Sequence, residues 1–193
     1  MVALVNIVPG ALQREILRAD LVIGAVLIQL ALGALYAWSV FTARLTDPDG
    51  AYAFSASETA WVFSAGLATF AIVMVLAGRK LADWGPQRLA LAGGITLGVG
   101  YFLAGLAGGT SFWGVWLGVG FIGGTGIGLA YVVPIAVGMR WFPDRKGMIS
   151  GVAVAGFGFG ATGWIKIAGS WGNLIDNINL SGTFMAYGVA FAV

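Results

Sequence analysis

Long apolar stretches alternate along this chain with short polar connections. A helix needs about 20 apolar residues to cross a hydrocarbon core about 30 Å thick. Stretches of that kind, free of charged residues, cover 21–41, 59–77, 89–107, 112–139 and 148–165, and 182–193 forms an incomplete sixth. Lipid offers backbone groups no partners, so each stretch is predicted to be helical. Strands are not expected, because the stretches lack two-residue alternation and are too long. The fourth is long enough to require a tilt or an interfacial start. The connections at 47–57, 108–111, 141–147 and 169–181 are too short to hold a soluble domain. Residues 1–19 are expected to form a cytoplasmic tail whose 13–18 part lies along the membrane surface. The first apolar run precedes the basic residues, and 21–41 exceeds a usual signal core, so the first span is expected to stay uncleaved.

Composition supports the same picture. Hydrophobic residues make up 59% and charged residues 9% of the 193, against about 25% charged in a soluble domain. The class is therefore all-α integral membrane, with the lipid bilayer as solvent. Placement of charge then sets an orientation. With the N-terminus inside, Arg14, Arg18, Arg79, Lys80, Arg88, Arg140, Arg145 and Lys146 all face the cytoplasm, while only Arg44 and Lys166 face outward. That bias predicts a multi-pass protein of the cell membrane, N-terminus in. A net charge of +2 gives no reason to expect nucleic acid as a partner. The chain has no cysteine and no histidine, which removes thiolate metal sites, zinc motifs and catalytic triads. No enzyme activity, metal or cofactor is expected. Glycine is abundant at 32 residues, which in a membrane predicts close helix packing.

Candidate chemistry is concentrated in a few segments. Gln29, Gly33 and Tyr36 recur at i, i+4 and i+7, so they share a face that should meet protein or a cavity. Tyr36 is either a cavity residue or a helix–helix hydrogen-bonding group. Trp38 points nearly the other way and is expected in the interfacial aromatic belt. The segment from Gly78 through Arg79, Asp83 and Gly85 to Arg88 reads as a basic cytoplasmic loop. Gly120, Gly124 and Gly128 form a small-xxx-small ladder for packing, followed by Tyr131 on the same side and by Pro134, which permits a kink. Gly156, Gly158 and Gly160 repeat the small-residue pattern in the fifth span. Arg140 should end a helix, where a cation suits the dipole, and Asp144 is placed to cap the next one, beside Arg145. Lys166 is either a snorkelling cation or an anion-attracting charge at the outer mouth. No carboxylate or cation lies deep in the first five spans; Glu58 sits at the outer end of the second.

The 78–88 segment resembles the cytoplasmic signature of the major facilitator superfamily, with Gly78, Gly85, Pro86 and Arg88 in place. Ala82 stands where that signature carries its acid, and Asp83 follows one residue later, about 100° around a helix. Gly33-Ala-Leu-Tyr-Ala-Trp-Ser-Val-Phe41, Gly126-Ile-Gly-Leu-Ala-Tyr131 and Arg140-Trp-Phe-Pro-Asp-Arg-Lys-Gly147 occur in order around it. Together, over roughly 20–165, they resemble the oxalate/formate antiporter family within that superfamily. The resemblance implies the N-terminal six-helix half of a twelve-span transporter, with its sixth helix truncated here and a C-terminal six-span half missing. It implies small organic anions as substrates, exchanged or taken up by alternating access between the halves. By motif, the family's cavity tyrosines fall on Tyr36 and Tyr131. Gln29 is the next substrate-contact candidate, with Trp61 and Phe157 as further cavity aromatics. Gly78, Arg79, Asp83, Gly85, Arg88, Arg140, Asp144 and Arg145 are the gating candidates. The rival reading is a non-transporting module, truncated or dependent on a partner.

Overall fold

A computed structural model describes residues 10–50, 52, 54–107 and 111–192. Residues 1–9 of the expected tail, most of the 108–111 turn and Val193 of the expected sixth span lie outside them. Among the described residues every regular element is helical. Helix α1 (Gly10–Leu32) continues through a 3-10 turn (Gly33–Ala37) into α2 (Trp38–Leu45). Then follow α3 (Ala56–Trp84), α4 (Pro86–Leu106) and α5 (Phe112–Val115), which runs through a π-helical stretch (Trp116–Gly123) into α6 (Gly124–Trp141). A 3-10 turn (Pro143–Arg145) leads to α7 (Lys146–Ala168), and α8 (Leu174–Ala192) ends the described chain. Five of these units are long and apolar enough to cross a membrane: Asp20–Leu45, Ala56–Trp84, Pro86–Leu106, Phe112–Trp141 and Pro143–Ala168. The chain is a multi-pass membrane protein.

Local chemistry sets the ends of these helices. Ser55 caps α3 reciprocally with Glu58: Glu58 N–H donates to Ser55 Oγ at 3.2 Å, and Ser55 N–H donates to the Glu58 carboxylate at 2.8 Å. At the other end, Gly85 alone separates α3 from α4, at φ 80°. A side chain rarely adopts that backbone conformation, and Pro86 then starts α4 where its missing N–H costs nothing. The expected loop is therefore mostly helix. Gly78, Arg79 and Asp83 lie in the last turns of α3, and Arg88 lies in the first turn of α4. The α3 and α6 C-termini and the α7 N-terminus meet at one end of the bundle, which gathers Arg79, Lys80, Arg88, Arg140, Arg145 and Lys146. Exposed Trp84 and Trp141 sit at the same end, and exposed Trp113 and Trp171 at the other, where indoles suit a membrane interface.

Two sequence expectations are corrected. Asp144 does not cap α7: the capping position is Arg145, no side chain accepts there, and Asp144 sits inside the 3-10 turn. Trp38 is not an interfacial aromatic. It is 5% exposed, donates its indole N–H to the Thr59 carbonyl at 3.1 Å, and lies near Phe41 and Phe184. The first span has protein on both faces, and the N-terminal turn of α3 and Phe184 of α8 meet Trp38, so a residue opposite Tyr36 meets protein rather than lipid. The sixth element also begins earlier than the apolar pattern implied. It starts at Leu174 and breaks at Asn179 (φ 58°, ψ 179°). Asn179 Oδ1 accepts from Gly182 N–H at 2.9 Å, restarting the helix.

Glycine brings the helices together. A Cβ on Gly120, Gly124 or Gly128 would lie 2.6–3.0 Å from the carbonyls of Val62, Gly66 and Phe70 respectively, so α6 and α3 touch backbone to backbone over two turns. A Cβ on Gly160 would fall on the Leu30 carbonyl of α1, while one on Gly156 would stand 3.2 Å from Gln29 Cβ. The apolar core runs on between α4 and α8 as a cluster that includes Tyr101, Phe184, Tyr187 and Phe191. Tyr187 donates its hydroxyl to the Trp164 carbonyl, which ties α8 to α7.

Candidate substrate site

Four elements bring their aromatic side chains to one place. Tyr36, from the 3-10 turn in the first span, has its ring centroid 5.2 Å from Phe157 of α7 and 6.2 Å from Phe63 of α3. Tyr131 of α6 lies 5.2 Å from Phe157 on another side, edge to face, and 5.1 Å from Phe70 of α3. Phe157 is thus the hub on which both tyrosines converge, although they stand in the first and fourth spans. Edge-to-face rings of this kind hold one another in place, so the cluster is a preformed wall rather than a set of free side chains. Tyr36 is 46% exposed and Tyr131 half-buried, so Tyr36 lies on the open side of that wall.

Gln29 lies beneath it. Its side chain is fully buried, with Nε2 at 3.5 Å from the Tyr131 carbonyl, at the outer limit of a hydrogen bond. Its Oε1 is buried without a protein partner. A buried amide oxygen left unpaired costs about 1–3 kcal/mol, so Gln29 is an unusual residue to keep at this depth. It stands behind the rings, next to the α6 backbone three residues before Pro134.

The remaining candidates lie elsewhere. Trp61 is 64% exposed near the N-terminal end of α3, where it lines a shallow depression with Ser57, Ala60 and Ser64, apart from the ring cluster. Ser57, Ala60, Trp61, Ser64 and Ala68 recur at helical spacing, all exposed, on the α3 face turned away from this bundle. The gating candidates sit at the Gly85 end of the bundle. Asp83 pairs within its own helix with Lys80 at 3.6 Å, both side chains exposed. At the opposite end, Arg44 and Asp176 pair at 2.5 Å and link α2 to α8.

Sequence reasoning missed Phe63 and Phe70. Their seven-residue spacing places them on one α3 face, and that repeat was the available signal. Chemically, the site offers π faces, two phenol hydroxyls and one buried amide, with no charged side chain among them. It can stack on a flat solute and donate hydrogen bonds to an anionic oxygen, but it cannot neutralise charge.

No family model matches the chain. Among curated proteins it is 34% identical over 170 residues to YhjX, an uncharacterised MFS-type transporter of Escherichia coli strain K12; the match covers 86% of this chain and 39% of that protein. It is 32% identical over 178 residues to apicoplast pyruvate carrier 1 of Toxoplasma gondii, covering 72% of this chain and 32% of the carrier. It is 24% identical over 157 residues to the oxalate:formate antiporter of Oxalobacter formigenes, covering 78% of this chain and 34% of the antiporter. The chain spans less than two fifths of the length of these relatives.

Proposed function

This chain belongs to the major facilitator superfamily, and from that we infer that it is the N-terminal six-span half of a secondary transporter of small organic anions. Its first, second, fourth and fifth spans form one wall of a path, and a second half of similar size closes the other side. Substrate crosses by alternating access, without covalent chemistry. The names of the relatives point to pyruvate, oxalate and formate, which are all small carboxylates.

The observation that carries this reading is the convergence of Tyr36 and Tyr131 on Phe157 at the open face of the bundle. Phenol hydroxyls donate to a carboxylate and rings stack on its planar group, while charge compensation is left to the other half. Buried charge in a membrane is expensive, so dividing the task leaves this half free of it. The basic residues gathered at the Gly85 end of the bundle support an N-terminus on the cytoplasmic side of a cell membrane. Arg79, Arg88, Arg140 and Arg145 there, with Asp83 and Asp144, are the groups through which the inner gate is proposed to close on the second half. Exchange of one anion for another is the mode favoured by the resemblance to antiporters.

The test is uptake of a panel of labelled small carboxylates by the full-length protein. Tyr36→Phe combined with Tyr131→Phe should raise the KM for the best substrate about tenfold, the loss of one to two hydrogen bonds. The amount of protein in the membrane should not change. Unaltered KM in that double variant removes these tyrosines from the site, and a wild type that takes up none of the panel removes the substrate class.

A further inference from the structure

We propose that Gln29 is a positioning residue, holding Tyr131 in register with Tyr36 across a seam between two packed bodies within this chain, an inference that rests on the reading of both tyrosines as substrate contacts.

The seam shows in how the helices touch. Within each body, backbone meets backbone at glycine. A Cβ on Gly33 would stand 2.6 Å from the Ala161 nitrogen, and one on Gly160 would fall on the Leu30 backbone, so the first span is fixed to α7. Trp164 of α7 adds an indole N–H donated to the Leu30 carbonyl at 2.9 Å. In the other body, a Cβ on Gly126 would stand 2.7 Å from the Gly93 carbonyl of α4, and Gly124 and Gly128 press on α3 in the same way. Among the described residues, no glycine brings the α1 and α6 backbones together. A Cβ on Gly24 would meet nothing within 4 Å, and one on Gly138 would meet the Ile149 side chain of α7. A void of about 20 Å³ lies where α1, α6 and α7 adjoin, lined by Ala25, Val26, Pro134, Gly138, Ile149 and Ala153. Tyr36 and Phe157 therefore belong to one body, and Tyr131, Phe63 and Phe70 to the other. The ring cluster lies astride the seam.

Gln29 crosses it. On one side its Cβ is 3.2 Å from where a Cβ on Gly156 of α7 would stand. On the other, Nε2 donates to the Tyr131 carbonyl at 3.5 Å. The backbone is irregular at both ends of this link. The 3-10 turn that carries Tyr36 begins four residues after Gln29. Pro134, three residues after Tyr131, has no N–H to give the Ala130 carbonyl. Helices bend most readily at such places. The tie adds orientation rather than stability. Burying an amide with Oε1 unpaired is unfavourable, and the Tyr131 carbonyl stands inside a helix, where the backbone supplies a donor.

That difference can be measured on the full-length protein. Gln29→Met, close in shape but without the amide, should unfold in detergent at or above the wild-type temperature. It should also raise the KM for the best carboxylate about fivefold. In the Tyr36→Phe, Tyr131→Phe background the same substitution should change KM by less than about twofold, because the hydroxyls it positions are gone. An unchanged KM, an equal rise in both backgrounds or a lower unfolding temperature makes Gln29 a structural residue and overturns the proposal. A second readout needs no transport. The chain has no cysteine, so spin labels are placed at will once any other cysteine is removed. The distance distribution between Phe159→Cys on α7 and Phe121→Cys beside α6, both exposed, should broaden in Gln29→Met. That between Phe121→Cys and Ile72→Cys on α3, within one body, should not. Broadening of both pairs, or of neither, also overturns the proposal. Broadening across the seam alone, in a protein that moves no carboxylate, sinks the substrate assignment and leaves the positioning role standing.

Discussion

The glycines of α7 show how far a single hydrogen atom can matter. Gly160 presses on the Leu30 backbone, while a Cβ on Gly158, two residues earlier, would have nothing within 4 Å. Gly160→Ala should therefore destabilise the fold by about 1–3 kcal/mol through overpacking. Gly158→Ala should be neutral or slightly stabilising through its better helix propensity. Thermal unfolding of the two variants in detergent decides it; equal midpoints would remove α1–α7 contact as the reason for the glycine. Both residues belong to one small-residue pattern in the sequence, and nothing in that pattern separates them. Side-chain type was legible, but the direction of each residue toward a neighbour was not. Trp38 shows the same limit. Its opposition to Tyr36 followed from helical spacing, but which helix covered each face did not.

At the scale of elements, the first five apolar stretches overlap the five helices long and apolar enough to cross a membrane, because length and lack of charge are one-dimensional properties. The boundaries were less visible, since capping and backbone conformation set them. Gly85 compresses an expected loop into one residue, and the π-helical stretch Trp116–Gly123 leaves no trace in hydropathy. The break in α8 was hidden for the same reason. Asn179 adopts a backbone conformation nearly confined to glycine, which costs about 1–3 kcal/mol, while its side chain caps the segment that follows. Asn179→Ala keeps the strain and loses the cap, so it should lower stability by about 1 kcal/mol. Asn179→Gly loses the cap but relieves the strain, and should unfold at or above the wild-type temperature. If Asn179→Gly is instead the worse of the two, the break is not strained as described.

For the molecule as a whole, orientation is the property most open to direct measurement. An impermeant maleimide applied from outside intact cells should label Ser170→Cys, which is exposed, and leave Arg79→Cys unlabelled until the membrane is opened. The reverse pattern would place the N-terminus outside. The sequence carried this expectation through charge placement alone, and the paired helix ends give it a spatial form. It did not carry the grouping of rings around Phe157, which depends on how four helices are turned about their axes. Helix α3 has a mechanical consequence of its own. It runs 29 residues without a break and meets α6 backbone to backbone at Gly66 and Gly124. From that contact to Trp84 is about 27 Å of helix. As a stiff lever pivoting there, α3 would carry its Trp84 end about 5 Å sideways for a tilt of only about 10°, a stroke wider than a water molecule.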